Sequence, residues 1–215
     1  MINRFDSELT KVDHFLRGIA RPFVPVVGLV DWRLGRDYDT GIHDVNIART
    51  VAKPGYVIIS RTKFNASNLT IPGFWKHAAF VLDDSSVIEA IGTGVQVTAL
   101  SDFILTCDYY AVLKPNFADQ QRRERAVGFA APLEGLPYDG EFCFTLSNNT
   151  EFFCSEIIWW SYEKTYDGPG EFSPFTPKKI LGKYTILPQD FANAYWKWQV
   201  ECTNRPDKIP QKDTA

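Results

Sequence analysis

The chain has 215 residues, 45% of them hydrophobic and 14% aromatic, with a formal net charge of −3. That is the size and apolar content of one domain with a substantial core. Lys and Arg are scattered, apart from Arg122-Arg123, which excludes the basic footprint of a nucleic-acid binder. No apolar run approaches the ~20 residues of a membrane span, because the run from Ile19 to Val30 is broken by Pro22 and Pro25. The four cysteines, Cys107, Cys143, Cys154 and Cys202, form no CxxC pair and no metal-ligand spacing. With no signal peptide in view, the expectation is a cytoplasmic protein with free thiols, no metal and no cofactor. The Asn-x-Ser/Thr matches at Asn65, Asn68 and Asn148 then read as chance.

Residues 5–20 place Val12, Phe15, Leu16 and Ile19 at helical spacing, with His14 on the flank. Phe23–Trp32 is an apolar, extended piece expected to pack over the main domain. His43-Asp44, near Gly41, reads as a surface loop. These segments define a helical and extended appendage over residues 1–50, a main domain over 51–200 and a polar, frayed tail over 201–215.

Lys53-Pro54-Gly55 is a turn, and Tyr56–Ser60 is a strand of strong β-formers. Arg61–Lys76 is a long loop, either a functional rim or lid or a plain surface excursion pinned by Phe74 and Trp75. His77–Leu82 is a strand, Asp83–Ser86 a turn, Val87–Ile91 the returning strand and Val95–Thr98 a third, forming a β-meander. Leu100–Leu105 is a short helix or turn, Tyr109–Leu113 a strand and Asp119–Ala131 a helix. Gly135–Gly140 is turn-rich and Phe142–Leu146 extended. Thr150 or Asn149 then caps a helix with Cys154, Ile157, Ile158 and Ser161 on one face. Gly168–Pro188 reads as loops, and Pro188–Trp198 as a final helix beginning near Asp190.

A thiol in the first turn of a helix feels the positive end of the dipole, which favours the thiolate. Cys154 is therefore a candidate nucleophile, although a buried cysteine in an amphipathic helix is the ordinary reading. A thiol nucleophile needs a base, and the base needs a group that orients it. Of His14, His43 and His77, only His77 falls on a core strand. Glu89 follows twelve positions later inside an apolar strand, where an unpartnered carboxylate is costly. An odd-length loop or a bulge at Asp83–Ser86 puts Glu89 opposite Val81 and on the face of His77. A two-residue loop puts the pair on opposite faces. Taken singly, the two residues read first as an exposed edge glutamate and a backbone-bonded core histidine.

Two separated halves of the chain carry a family resemblance. Lys53-Pro-Gly with its strand, then His77-Ala-Ala-Phe-Val-Leu and Val87-Ile-Glu-Ala, resembles the base-bearing half of NlpC-type papain-like hydrolases. Gly135-Leu-Pro-Tyr-Asp ahead of Phe153-Cys154-Ser155-Glu156 resembles the nucleophile half. The cysteine half comes last, so the order is similar to that of the circularly permuted, YiiX-like branch, as is the Ser60–His77 stretch. Tyr56 stands where that family usually has Asp.

The resemblance implies a thiol nucleophile at Cys154, a general base at His77 and an orienting carboxylate at Glu89. It sets Tyr138 beside the nucleophile as an oxyanion donor, or else as a core tyrosine. The backbone N–H of Cys154 is a second candidate donor. Asn68, Trp75 and Ser155 are candidate rim residues. Phe74, Trp75, Trp159 and Trp160 line an acyl or aromatic groove or pack in the core, and Cys107, Cys143 and Cys202 are structural. The fold expected is α+β and papain-like, an antiparallel sheet of about five strands packed against helices. Cys154 should meet His77 across a helix–sheet contact, on one side of the sheet. The reaction implied is cleavage of an amide, in a small peptide or amino-acid conjugate, through a thiol acyl-enzyme. The alternatives are an acyltransferase or lipid or thioester hydrolase on the same triad, and a silent binding module of the same fold.

Overall fold

The computed structural model describes residues 35–140, 150–167, 171, 174–180, 183–194 and 196–210. The expected helix over 5–20, the Phe23–Trp32 segment, the Phe142–Leu146 strand, His14, Cys143 and the cap candidate Asn149 lie outside those residues.

In chain order the elements are α1 (Ile42–Val51), β1 (Val57–Arg61), α2 (Ser67–Thr70), β2 (His77–Val81), β3 (Ser86–Ile91), β4 (Gly94–Ala99), α3 (Leu100–Leu105), β5 (Tyr109–Pro115), α4 (Gln120–Ala130), α5 (Cys154–Glu163), β6 (Lys178–Ile180), β7 (Lys183–Thr185), α6 (Pro188–Asn193) and β8 (Trp198–Thr203). Six strands form one antiparallel sheet in the order β4-β3-β2-β1-β5-β8, and β6 pairs with β7 as a separate hairpin.

Helices cover both faces of this sheet. On one face, Val57, Ile59, Ala78, Phe80 and Ile88 pack against Ile157, Ile158, Trp159 and Tyr162 of α5, with α4 and α6 alongside. On the other face, Ile58, Ala79, Val81 and Val112 pack against α1 and α3. An antiparallel strand with one wet face alternates apolar and polar residues, whereas one covered on both sides reads as a continuous apolar run. Val57-Ile58-Ile59 and Ala78–Val81 are such runs, and every one of these residues is fully buried. Each large apolar side chain of α5 buried in this way is worth about 1.5–3 kcal/mol, so the sheet clamps α5 firmly.

The expected meander is present, and its turn is the odd-length one the site requires. Leu82 N–H donates to Ser86 O at 3.0 Å, leaving Asp83–Ser85 as a three-residue loop. Asp83 holds it, accepting from Ser85 N–H at 2.7 Å and from the Ser86 hydroxyl at 2.7 Å, the Asx-type chemistry that stabilises tight turns. Glu89 is paired with Ala79 rather than Val81, which keeps it on the face of His77.

Four expectations change. His43 and Asp44 belong to α1, where Asp44 accepts the Gly41 N–H at 2.9 Å, not to a surface loop. The last helix begins at Pro188 and stops at Asn193, and Trp198–Thr203 is a sixth strand against β5. The stretch read as loops contains the β6–β7 hairpin. The chain after Thr203 continues as a 3-10 turn over Pro206–Lys208, whose Lys208 carbonyl accepts the Trp75 indole N–H at 3.2 Å. Among the described residues no helix is long and apolar enough to cross a membrane.

Candidate active site

Helix α5 starts later than its capping residues suggested. Thr150 is not the cap. Phe152 is drawn into a parallel bridge with Tyr138, its N–H donating to Pro137 O and its carbonyl accepting from Asp139 N–H, both at 3.0 Å. The chain stays extended through Phe153, which becomes the N-cap, and Glu156 reaches back to the Phe153 N–H at 3.4 Å. Cys154 is therefore the first helical residue, and its own N–H has no carbonyl within the helix to bond. The bridge also fixes Tyr138 relative to Cys154. It is anchored at its other end by Gly94, at φ +124°, where an added Cβ would lie 2.7 Å from the Leu136 carbonyl oxygen. Val95 N–H donates to that same oxygen at 2.8 Å.

The base arrives from the sheet. His77 opens β2, and its Nε2 lies 2.6 Å from Glu89 Oε2 on β3. The other oxygen, Glu89 Oε1, accepts from Thr98 Oγ1 at 2.6 Å and from Gln96 Nε2 at 3.3 Å, both on β4. A buried carboxylate thus has three partners, and its orientation is fixed. Burial raises the Glu89 pKa, but the His77 hydrogen bond and charge outweigh it, and the net shift is downward.

Cys154 and His77 meet where the sheet splits, not across one of its faces. Pairing of β2 with β3 ends at Ala79 and Glu89, although the strands run on to His77 and Ile91. Val81 N–H bonds Tyr56 O at 2.9 Å, and hydrogen-bonding directions alternate along a strand, so the Ala78 N–H is turned toward β3. There it donates to the Cys154 sulfur instead of to a strand. His77 shares the face of Ala79 and Val81, with its ring 5.8 Å from that of Phe103, while the body of α5 packs on the opposite face. The expectation of a same-side contact is corrected: the thiol enters the gap at the strand ends and is hydrogen-bonded to His77 from there. With Nε2 held by Glu89, Nδ1 is the nitrogen left for Cys154.

The electrostatics follow from this packing. Burial pushes the Cys154 thiol up, but the hydrogen bond and positive charge of His77 and the Ala78 N–H bring its pKa down overall. Burial works against the His77 imidazolium, but Cys154 and Glu89 raise its pKa overall. Charge-assisted hydrogen bonds are roughly twice as strong as neutral ones, and each partner here stabilises the charged form of the other. Burial, and then the negative charge of Cys154, holds the Tyr138 hydroxyl protonated.

Cys154, His77, Glu89 and Tyr138 all line a cleft of about 170 Å³. Its far wall comes from the Arg61–Lys76 loop through Asn65, Ser67 and Lys76, and from Cys107 at the end of α3. The expected rim residues do not line it. Trp75 is fully buried in the core, and Ser155 is fully buried behind the nucleophile, its Oγ 3.8 Å from Cys154 Sγ. Asn68 lies beside the cleft, its Nδ2 donating to Thr62 O at 2.8 Å while Oδ1 is buried with no partner among the described residues. Trp159 is also a core residue, and Phe74 and Trp160 pack against the core, so the aromatic side chains do not form a groove. Cys202 is half-buried, its pKa pushed up to about 11 by burial. Among the described residues no group of three or more His, Cys, Asp or Glu side chains could hold a metal ion.

Known proteins converge on the same architecture. The family described as permuted papain-like amidase enzyme, YaeF/YiiX, matches residues 51–200. A crystal structure of YiiX from Escherichia coli, described as a metalloprotein, superposes with a TM-score of 0.56 at 17% sequence identity, covering 69% of this chain and 95% of that one. At that identity the likeness speaks for the fold. No curated protein matches the chain.

Proposed function

The chain belongs to the permuted papain-like amidases of the YaeF/YiiX type and is a cysteine hydrolase, and we propose that it cleaves a small amide, a peptide or amino-acid conjugate, through a thioester on Cys154. The observation that carries this reading is the charge relay of contacts at the sheet split, from Glu89 through Nε2 of His77 to the Cys154 sulfur. The Cys154 thiolate attacks the amide carbonyl carbon, and the negative charge moves to the carbonyl oxygen. The Cys154 N–H at the start of α5 and the protonated Tyr138 hydroxyl are the donors available to that oxygen. As the C–N bond breaks, His77 passes its proton to the departing amine. Water then gives a proton to His77 and attacks the thioester, releasing the carboxylic acid and regenerating the thiolate. Glu89 holds the imidazole in orientation throughout and stabilises its charged form.

The test is to trap the intermediate. The protein is exposed to a mixed panel of peptide amides, amino-acid conjugates and acyl lipids, quenched in acid and digested for mass spectrometry. An acyl adduct on the Cys154 peptide from an amide donor, absent in Cys154→Ala, is the expected result. Adducts formed only from lipid esters would replace the amide reading, and turnover that survives Cys154→Ala would contradict the nucleophile.

A further inference from the structure

Lys76 is a buried cation in the cleft with no counter-charge among the described residues. It is 6% exposed, lines the same space as Cys154 and precedes His77 directly in the chain. Its Nζ donates to two backbone carbonyls, those of Asn68 at 3.3 Å and Ile71. Among the described residues no carboxylate forms an ion pair with it. Glu89, the acid in the cleft lining, is held by His77, Thr98 and Gln96. Burial first, and then the positive charge of Arg61, lowers its pKa. A buried ammonium is costly unless an anion accompanies it. Among the described residues two carbonyls occupy two of its three N–H groups, which leaves one donor for a ligand.

From this we infer that Lys76 selects substrates carrying a carboxylate on the portion that enters the cleft. The inference rests on the reading of Cys154 as the nucleophile and adds the substrate class. The size of the cleft agrees with a small acid. Pockets for drug-sized ligands run to roughly 300–1,000 Å³, whereas this one, at about 170 Å³, admits a residue-sized group. The chemistry also favours a carboxylate over a phosphate. One free N–H on a compact point charge suits a single carboxylate oxygen, while phosphate sites usually present several donors. The backbone contacts to Asn68 and Ile71 aim the ammonium and tie the 67–71 segment to the start of the catalytic strand.

Two alkylating reagents that differ only in charge read this out. N-bromoacetylglycine carries a carboxylate and N-bromoacetylglycinamide a carboxamide, and in both the thiolate displaces bromide. The imidazolium of His77 attracts the acid in every variant, so the comparison is between Lys76 and its replacements. The unsubstituted protein should label at Cys154 about tenfold faster with the acid, the scale of one charge-assisted hydrogen bond. Lys76→Met should bring that acid-to-amide ratio to about 2 or below, and Lys76→Arg should keep the preference. A variant-free arm covers the case in which Lys76→Met misfolds: N-acetylglycine, and not N-acetylglycinamide, should slow iodoacetamide labelling of Cys154 in the unsubstituted protein. A ratio unmoved by Lys76→Met, or equal protection by acid and amide, overturns the carboxylate reading and leaves the nucleophile standing. Failure of both reagents to favour Cys154 over Cys107 and Cys202 overturns the nucleophile, and the carboxylate reading with it.

Discussion

At the residue scale the site is a set of mutually dependent charges. Tyr138 illustrates this, because burial and then the thiolate of Cys154 keep its hydroxyl protonated, so a phenol that donates a hydrogen bond stands beside the nucleophile. Tyr138→Phe should lower kcat by about 10²-fold, the cost of one donor to a developing oxyanion, with KM within about twofold. A drop in Tm with unchanged kcat would make Tyr138 a packing residue instead. The His77–Glu89 contact was legible in the sequence because it rests on local spacing, an odd loop between two strands, whereas the pairing of Cys154 with His77 and the place of Tyr138 came only from the family resemblance. The rim was not legible. Trp75 and Lys76 are adjacent, yet the aromatic is core and the cation lines the cleft, and nothing in the Phe74–His77 stretch distinguishes a rim aromatic from a buried one. Cys107 reaches the cleft only because α3 ends beside His77, a long-range fact that spacing does not carry.

At the element scale α5 carries an acid in its first turn that the fold makes neutral. Glu156 is 3% exposed, and burial, with the nearby charge of Asp139, raises its pKa from 4.5 to about 9. The folded form therefore keeps a proton that the unfolded chain releases in this window. Its contribution to stability is complete below the unfolded value and is lost as pH rises toward 9. Glu156→Gln keeps an oxygen for the Phe153 N–H and removes the titration. Thermal melts from about pH 5 to 9 should show the unsubstituted protein losing about 1–3 kcal/mol more than this variant. Parallel losses in the two proteins would place the proton elsewhere. The start of α5 was misread because cap preference is local, whereas the Tyr138–Phe152 bridge that keeps the chain extended to Phe153 joins two distant segments. For β8 the signal was present and outweighed: Trp198, Val200 and Cys202 alternate with polar residues at strand period, but they follow directly on a helical stretch.

At the scale of the whole molecule, the permuted order costs the site nothing, because the sheet reassembles it. The base-bearing strands come first in the chain and the nucleophile helix second, and the two meet at the gap where β2 and β3 part. Fold class, the meander and the covering helices were readable from apolar runs and their turns. The split itself was not, since it depends on a ladder that stops two pairs short of its strand ends. The central claim, that this split holds a thiolate–imidazolium pair, is tested by the pH dependence of iodoacetamide labelling followed on individual cysteine peptides. The lowered Cys154 pKa means that its thiolate persists as pH falls through the range where ordinary thiols are protonated. Cys154 should label at about pH 6 well ahead of Cys107 and Cys202, and His77→Ala should move its midpoint up to the ordinary thiol range of about 8.5 or higher. Uniform, slow labelling of all the thiols, indifferent to His77→Ala, would contradict the account.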